Sequence, residues 1–197
     1  SGGGYTLSGD RSIELEGFNM SVLSNASYTT GESSNLEFDP RCYNILYTGS
    51  GEILYKSYNN GYSSYPLYDF GENVTSIEVS WSNPNIIYVA TYDSYWGDKH
   101  IWRSDDGGLS FVNITPTFPG VQEDNWIPYD ITISDNDPLS VWIARCPNST
   151  SYDSYESSKV FHSSNGGDNW QNMTGSGLNG ENITNIEYHR GSNDGIY

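Results

Sequence analysis

Apolar and polar residues alternate along this chain in short bursts, and the bursts recur in the same order. Leu36-Glu37-Phe38, Ile77-Glu78-Val79 and Ile131-Thr132-Ile133 each set one polar residue between two apolar ones, the period of a strand with one buried face. Each leads to a turn signal, Asp39-Pro40, Asn83-Pro84 and Asp137-Pro138. Second strands are expected at Ile45-Leu46-Tyr47, Ile87-Tyr88-Val89-Ala90 and Val141-Trp142-Ile143-Ala144. A third set reads apolar, aromatic, basic: Leu54-Tyr55-Lys56, Ile101-Trp102-Arg103 and Val160-Phe161-His162. Fourth strands follow at Phe111-Val112-Asn113-Ile114 and Trp170-Gln171-Asn172-Met173. Four short strands recurring with a period of roughly 45 to 60 residues predict an all-β repeat protein built from propeller blades.

One motif follows every third strand. Its best copy is Ser104-Asp105-Asp106-Gly107-Gly108-Leu109-Ser110-Phe111, its second Ser163-Ser164-Asn165-Gly166-Gly167-Asp168-Asn169-Trp170, and its weakest Ser57-Tyr58-Asn59-Asn60-Gly61-Tyr62-Ser63. This pattern resembles the Asp box, and the chain is similar to the BNR or sialidase-type repeat β-propeller superfamily over roughly residues 35 to 197. That group spans sialidases, xyloglucanase-like glycosidases, sortilin-type receptor domains, photosystem-assembly factors and secreted bacterial surface proteins. The resemblance implies a folding device. Ser57, Asn59, Gly61, Ser104, Asp106, Gly108, Ser163, Asn165 and Gly167 would shape the turn between third and fourth strands, with Phe111 and Trp170 packing between blades. On that reading the acid or amide makes partly buried turn bonds. Asn59 and Asn165 favour structure over metal binding, because an amide still accepts a turn hydrogen bond but brings no charge to a cation.

The units read as 35–73, 74–128 and 129–180, with 181–197 beginning a further blade. Residues 1–34, where Ile13-Glu14-Leu15 is the clearest alternation, form a lead-in strand or the end of a preceding blade. The chain is therefore expected to hold about three blades plus part of another, an incomplete propeller. The missing blades would come from further sequence of the same protein or from neighbouring copies.

Charge removes several function classes. The 197 residues carry a formal charge of -17, leaving no basic surface to neutralise phosphates, so nucleic acid is not an expected partner. No apolar run approaches membrane-spanning length, so no membrane insertion is expected. The composition suits an extracellular or cell-surface location. Sequons at Asn19, Asn25, Asn73, Asn113, Asn148, Asn172 and Asn182 are possible N-glycosylation sites. Asn113 and Asn172 hold the same place in two repeats, which strand sequence alone would also explain. Cys42 and Cys146 are not expected to pair, because the repeat alignment puts them at opposite ends of their blades. A disulfide needs α-carbons within about 7 Å, whereas a five-residue strand spans roughly 17 Å.

Meander geometry puts the Pro turns and Asp boxes at one end of the blades and the variable connections at the other. Those connections carry Tyr92, Asp93, Tyr95, Trp96 and Asp98, then Glu123, Asp124 and Trp126, then Tyr152 and Tyr155. Aromatic rings beside carboxylates suit sugar or protein recognition. Catalysis has less support. A sialidase would need an arginine cluster at that end, yet Arg41, Arg103 and Arg190 map toward the Asp-box end and only Arg145 toward the other. A xyloglucanase-type glycosidase needs two carboxylates, and nothing in the spacing selects a pair among Asp93, Asp98, Glu123 and Asp124. His100, His162 and His189 lack metal-ligand spacing, and no metal or cofactor is expected. The sequence thus reads as a non-enzymatic propeller segment for extracellular interaction with carbohydrate or protein, or for scaffolding. The alternative is part of a multi-blade glycoside hydrolase whose catalytic residues lie partly outside this chain.

Overall fold

The computed structural model describes residues 5–8, 10–13, 36–93, 99–115, 126–147, 160–174, 183 and 185–189, with side chains described for 36–93, 99–115, 130–144, 160–174, 183 and 185–189. Among them there is no helix. β1 (Tyr5–Ser8) and β2 (Asp10–Ile13) form a two-stranded antiparallel sheet. The first four-stranded sheet runs β3 (Leu36–Phe38), β4 (Leu46–Ser50), β5 (Ile53–Ser57), β6 (Tyr65–Asp69). The second is β7 (Asn73–Val79), β8 (Ile87–Tyr92), β9 (Lys99–Ser104), β10 (Val112–Asn113). The third is β11 (Trp126–Ile133), β12 (Val141–Pro147), β13 (Val160–Ser163), β14 (Gln171–Asn172). Each is an up-and-down antiparallel meander, so the architecture is that of incomplete propeller blades.

Alternation decides how the sheets stack. Tyr47 and Leu54 of the first sheet meet Val74, Ile77, Val79, Ile87 and Val89 of the second in one buried cluster. The other face of the second sheet, with Tyr88, Ala90 and Ile101, meets Ile131, Ile133, Val141, Ile143 and Phe161 of the third. Burying each such aliphatic side chain stabilises by roughly 1.5–3 kcal/mol. The far face of the third sheet, Trp142, Ala144 and Val160, is covered by Ile183, Ile186 and Tyr188. At Gly49 the first two sheets approach so closely that a Cβ there would stand 2.5 Å from Val74 Cγ1.

The three turns before the second strands close on the same backbone bonds. Asp39, Ser80 and Ser134 N–H groups donate to the carbonyls of Ile45, Ile86 and Ser140. This register aligns Tyr43, not Pro40, with Pro84 and Pro138, which corrects the placement of the first proline turn. A carbonyl two residues before the second strand then accepts from the Asp-box turn. Asn60 N–H donates to Asn44 O at 3.0 Å, Gly107 to Asn85 at 2.9 Å and Gly166 to Leu139 at 2.8 Å. In each four-stranded sheet these two turns are thereby tied together at one end.

Bulges give the inner strands their polar contacts. In β7 the ladder skips between Val74 and Ser76, and in β11 between Pro128 and Asp130. A bulge re-aims the side chain that follows it. Ser76 and Asp130 are those residues, and Ser76 Oγ donates to Asp130 Oδ1 at 3.0 Å.

Candidate functional site

The Asp-box turns show the same hydrogen bonds three times. In the second sheet Ser104 Oγ donates to Asp106 Oδ1 at 2.8 Å and accepts the Gly108 N–H at 2.8 Å. Asp106 also accepts the Leu109 and Ser110 N–H groups at 2.9 Å each and the Ser110 hydroxyl at 2.6 Å. The amide copies behave alike. Asn165 Oδ1 accepts from Ser163 Oγ at 2.8 Å and Asn169 N–H at 3.0 Å, and Asn59 Oδ1 from Ser57 Oγ at 3.0 Å and Ser63 N–H at 2.9 Å. The turn bonds are partly buried on the serine side, where Ser57, Ser104 and Ser163 are buried, while the Asp106 carboxylate itself is exposed. The Ser110 hydroxyl and N–H, with Ser104 and Leu109, hold the Asp106 carboxyl down at about 2. Gly107, Gly108, Gly166 and Gly167 all have positive φ, which a Cβ opposes. At Gly108 that Cβ would also strike Leu67, and at Gly167 it would strike Ile114.

Residues flanking the second and third boxes bind the sheets to one another. Phe111 packs back on Tyr68 and Phe70 of the first sheet, with ring centroids 4.9 Å apart in both pairs. Trp170 donates back to Ile114 O at 3.2 Å. Arg103 reaches the other way: Asp105 fixes its guanidinium through two 2.9 Å bonds, and Nη1 donates to Gly166 O at 2.9 Å in the next box. Tyr88 OH likewise donates forward to Pro138 O at 3.0 Å. His162, the basic position of the third sheet, stacks on Trp142 at 4.3 Å and bonds Ser140 Oγ at 2.9 Å.

Carboxylates gather on the inner strands. Glu37 of β3, Glu78 of β7 and Glu187 occupy the polar centre of apolar-polar-apolar runs, a place held by Thr132 in β11. Burial, then Glu37, Glu187 and Asp130, push the Glu78 carboxyl well above its ordinary value, against a bond from the Ile133 backbone. Asp130 is raised by burial although it accepts several bonds. Besides Ser76, it takes Ile131 N–H at 3.0 Å, Ile186 N–H at 3.0 Å and Asn185 Nδ2 at 2.7 Å. One carboxylate thus ties β7, β11 and the 185–188 segment together.

At the opposite end, Glu72 in the connection from β6 to β7 holds a smaller cluster. Its Oε1 lies 2.6 Å from His100 Nδ1, and its Oε2 accepts the Thr91 hydroxyl at 2.6 Å. Trp102 Nε1 donates to Thr91 Oγ1 at 2.9 Å. Tyr92 and Asp93, from the expected binding set, are half-buried nearby at the end of β8. Tyr95, Trp96, Asp98, Glu123, Asp124, Tyr152 and Tyr155 lie outside the described residues, as does the side chain of Trp126. Sequons Asn19, Asn25, Asn148 and Asn182 also lie outside them. Among the described residues no group of three or more His, Cys, Asp or Glu is placed to hold a metal ion, and no helix is long and apolar enough to cross a membrane. Cys42, in the 39–45 turn, carries a free thiol.

Sequence reasoning missed Glu72, Asp130 and the inner-strand glutamates as groups. Superposing the repeats on their polar centre would have found Glu37, Glu78 and Glu187. Asp130 is invisible without the bulge.

Known proteins match this chain in part. No family model matches it. A 58-residue stretch, 29% of the chain, is 36% identical to a xyloglucanase of Acetivibrio thermocellus, of which it spans 7%. Among solved structures the fold is similar to an ancestral GH74 enzyme (TM-score 0.53, 21% identity, 72% of this chain, 18% of that one). It is also similar to the GH74 xyloglucanase from Xanthomonas campestris (TM-score 0.55, 14% identity, 77% and 24%). The YCF48 protein from Cyanidioschyzon merolae gives TM-score 0.51 at 17% identity over 73% of this chain and 38% of its own. At these identities the likeness establishes the fold, that of the propellers, and the chain spans well under half of each of these proteins.

Proposed function

We propose that this propeller segment works outside the cell in recognition of carbohydrate or protein, or as scaffolding, without a catalytic centre of its own. The observation that carries this reading is where the described charged groups are used. Arg41 donates to Ser82 O, Arg103 to Asp105 and Gly166, Glu72 accepts from Thr91, and Asp130 takes four donors. Groups bound into turns and seams serve the fold, and a substrate would have to displace those bonds. The acidic, Lys-poor, sequon-rich composition supports an exposed setting. The test incubates the full chain with immobilised neutral polysaccharides and, separately, follows reducing ends in solution. Retention without new reducing ends is expected; release of reducing ends above a heat-inactivated control would reverse the reading.

One observation favours the hydrolase alternative. Burial and the neighbouring Glu37, Glu187 and Asp130 push the Glu78 carboxyl well above its ordinary value, and a carboxyl held up in this way is what glycosidases use as a general acid. The 58-residue match is to a xyloglucanase. If glycosidase activity is found and Glu78→Gln abolishes it in a folded chain, this second reading replaces the first.

A further inference from the structure

The turns at the Asp-box end are one scaffold built three times, so positions that differ between copies separate what the fold requires from what it does not. Tyr43 stands where the other sheets have Pro84 and Pro138, and Tyr58 where they have Asp105 and Ser164. Tyr62 stands where they have Leu109 and Asp168. Tyr65, the cross-strand partner of Lys56, stands where Val112 and Gln171 pair with Arg103 and His162. Two copies close the same backbone bonds with proline, acid, serine, aliphatic and amide residues. The shared backbone bonds of these turns do not require tyrosine.

In the first sheet all four are tyrosine, and all are open to solvent, at 73%, 57%, 51% and 58% for Tyr43, Tyr58, Tyr62 and Tyr65. Their support is ordered. The two turns are joined by the Asn60–Asn44 bond, and the Asp-box turn is held from within by Ser57 and Asn59. The Lys56 ammonium lies 5.2 Å from the Tyr58 ring centroid and 4.7 Å from that of buried Tyr47. Rings on such turns lose little conformational freedom when a ligand arrives.

We infer that this tyrosine-bearing end of the first sheet is a binding surface for a neutral saccharide chain, which deepens the recognition reading above and rests on it. A phenol offers a flat face to the C–H side of a pyranose and a hydroxyl at its rim for sugar hydroxyls. The net charge of -17 repels acidic polymers. Arg41, the other cation of these two turns, already donates to Ser82 O. A protein partner would be met by a dry aliphatic centre within a polar rim, and these four positions hold no aliphatic residue.

The experiment titrates the full chain with cellohexaose and mannohexaose, with an oligogalacturonate as the charged control. The variants borrow from the second sheet residues its turns already accommodate: Tyr43→Pro, Tyr58→Asp and Tyr62→Leu, singly and together. Each single change should weaken neutral-oligosaccharide binding by about tenfold or less and the triple change by more, while Tyr58→Phe keeps most of the affinity. Nitration of the unmodified chain by tetranitromethane should be slowed at Tyr43 and Tyr58 by the bound oligosaccharide, a readout independent of any variant. Binding lost in Trp96→Ala or Trp126→Ala but unchanged in the triple variant would overturn this site and leave the recognition reading standing. A polypeptide partner lost in the triple variant, with no neutral oligosaccharide bound, would overturn the saccharide. Absence of any extracellular ligand at either end would sink both.

Discussion

At the scale of single residues, the serine of the Asp box is more consequential than the acid that names it. Ser104 is buried, and its hydroxyl satisfies the Gly108 N–H while donating to Asp106. Ser104→Ala orphans a buried N–H and should cost about 1–3 kcal/mol in urea denaturation. Asp106→Ala removes bonds at an exposed carboxylate, and we expect a smaller loss there. Asn60 gives a second check. It holds φ of 57° where the other sheets have Gly107 and Gly166, and asparagine tolerates that region better than other residues with a Cβ. Asn60→Ala should therefore destabilise by about 1 kcal/mol, whereas Asn60→Gly should change little. Equal melting temperatures for the two variants would contradict this account of the weakest box.

The edge strands show why two sequons coincide. Thr115 Oγ1 accepts the Ile101 N–H at 3.0 Å, and Asn113 Oδ1 accepts the Thr115 N–H at 2.9 Å. Thr174 and Asn172 repeat this against Val160, at 3.0 and 2.9 Å. Asn-x-Thr thus closes a two-residue strand by supplying a hydroxyl where the ladder has run out of carbonyls. Thr115→Val should cost about 1–3 kcal/mol and Thr115→Ser much less; because Thr115→Ser also keeps the sequon, intact mass beside the urea midpoint separates this role from a sugar. At this scale the strands were legible: the three polar-centred runs, the aromatic-basic ends and the glycine turns all carry local patterns. The bulge after Val74 was not, since the residue it re-aims, Ser76, meets Asp130 54 residues on. The first proline turn misled for a similar reason, because the register is set by the bond from Asp39 to Ile45 and not by where proline falls. Loop composition and meander geometry name the rings and carboxylates of the loop-rich end without saying where they point.

For the whole molecule, opposing carboxyl shifts set the response to pH. Glu78 and Asp130 bind protons more tightly folded than unfolded, so their charged forms oppose folding and stability is lost as pH rises above the ordinary carboxylate range. Asp106 is held down at about 2, so its contribution is present above its unfolded value and lost as pH falls toward about 2. The urea midpoint should accordingly rise from pH 8 toward mildly acidic conditions and fall again in strong acid. The global charge acts in the same direction, so Glu78→Gln isolates the inner strand: it should raise the midpoint at pH 8 and flatten the upper limb. A variant as pH-dependent as the parent would remove Glu78 from that role. The seams carry a different consequence. Phe111 and Trp170 grip the sheet before, while Arg103 and Tyr88 grip the sheet after, so the second repeat bears joining groups on both flanks. A gene segment encoding such a repeat therefore carries groups for both of its junctions. Tandem duplication yields neighbours that fit from the first generation, and later divergence, as in Lys56, Arg103 and His162, only has to refine a fit that copying already supplied.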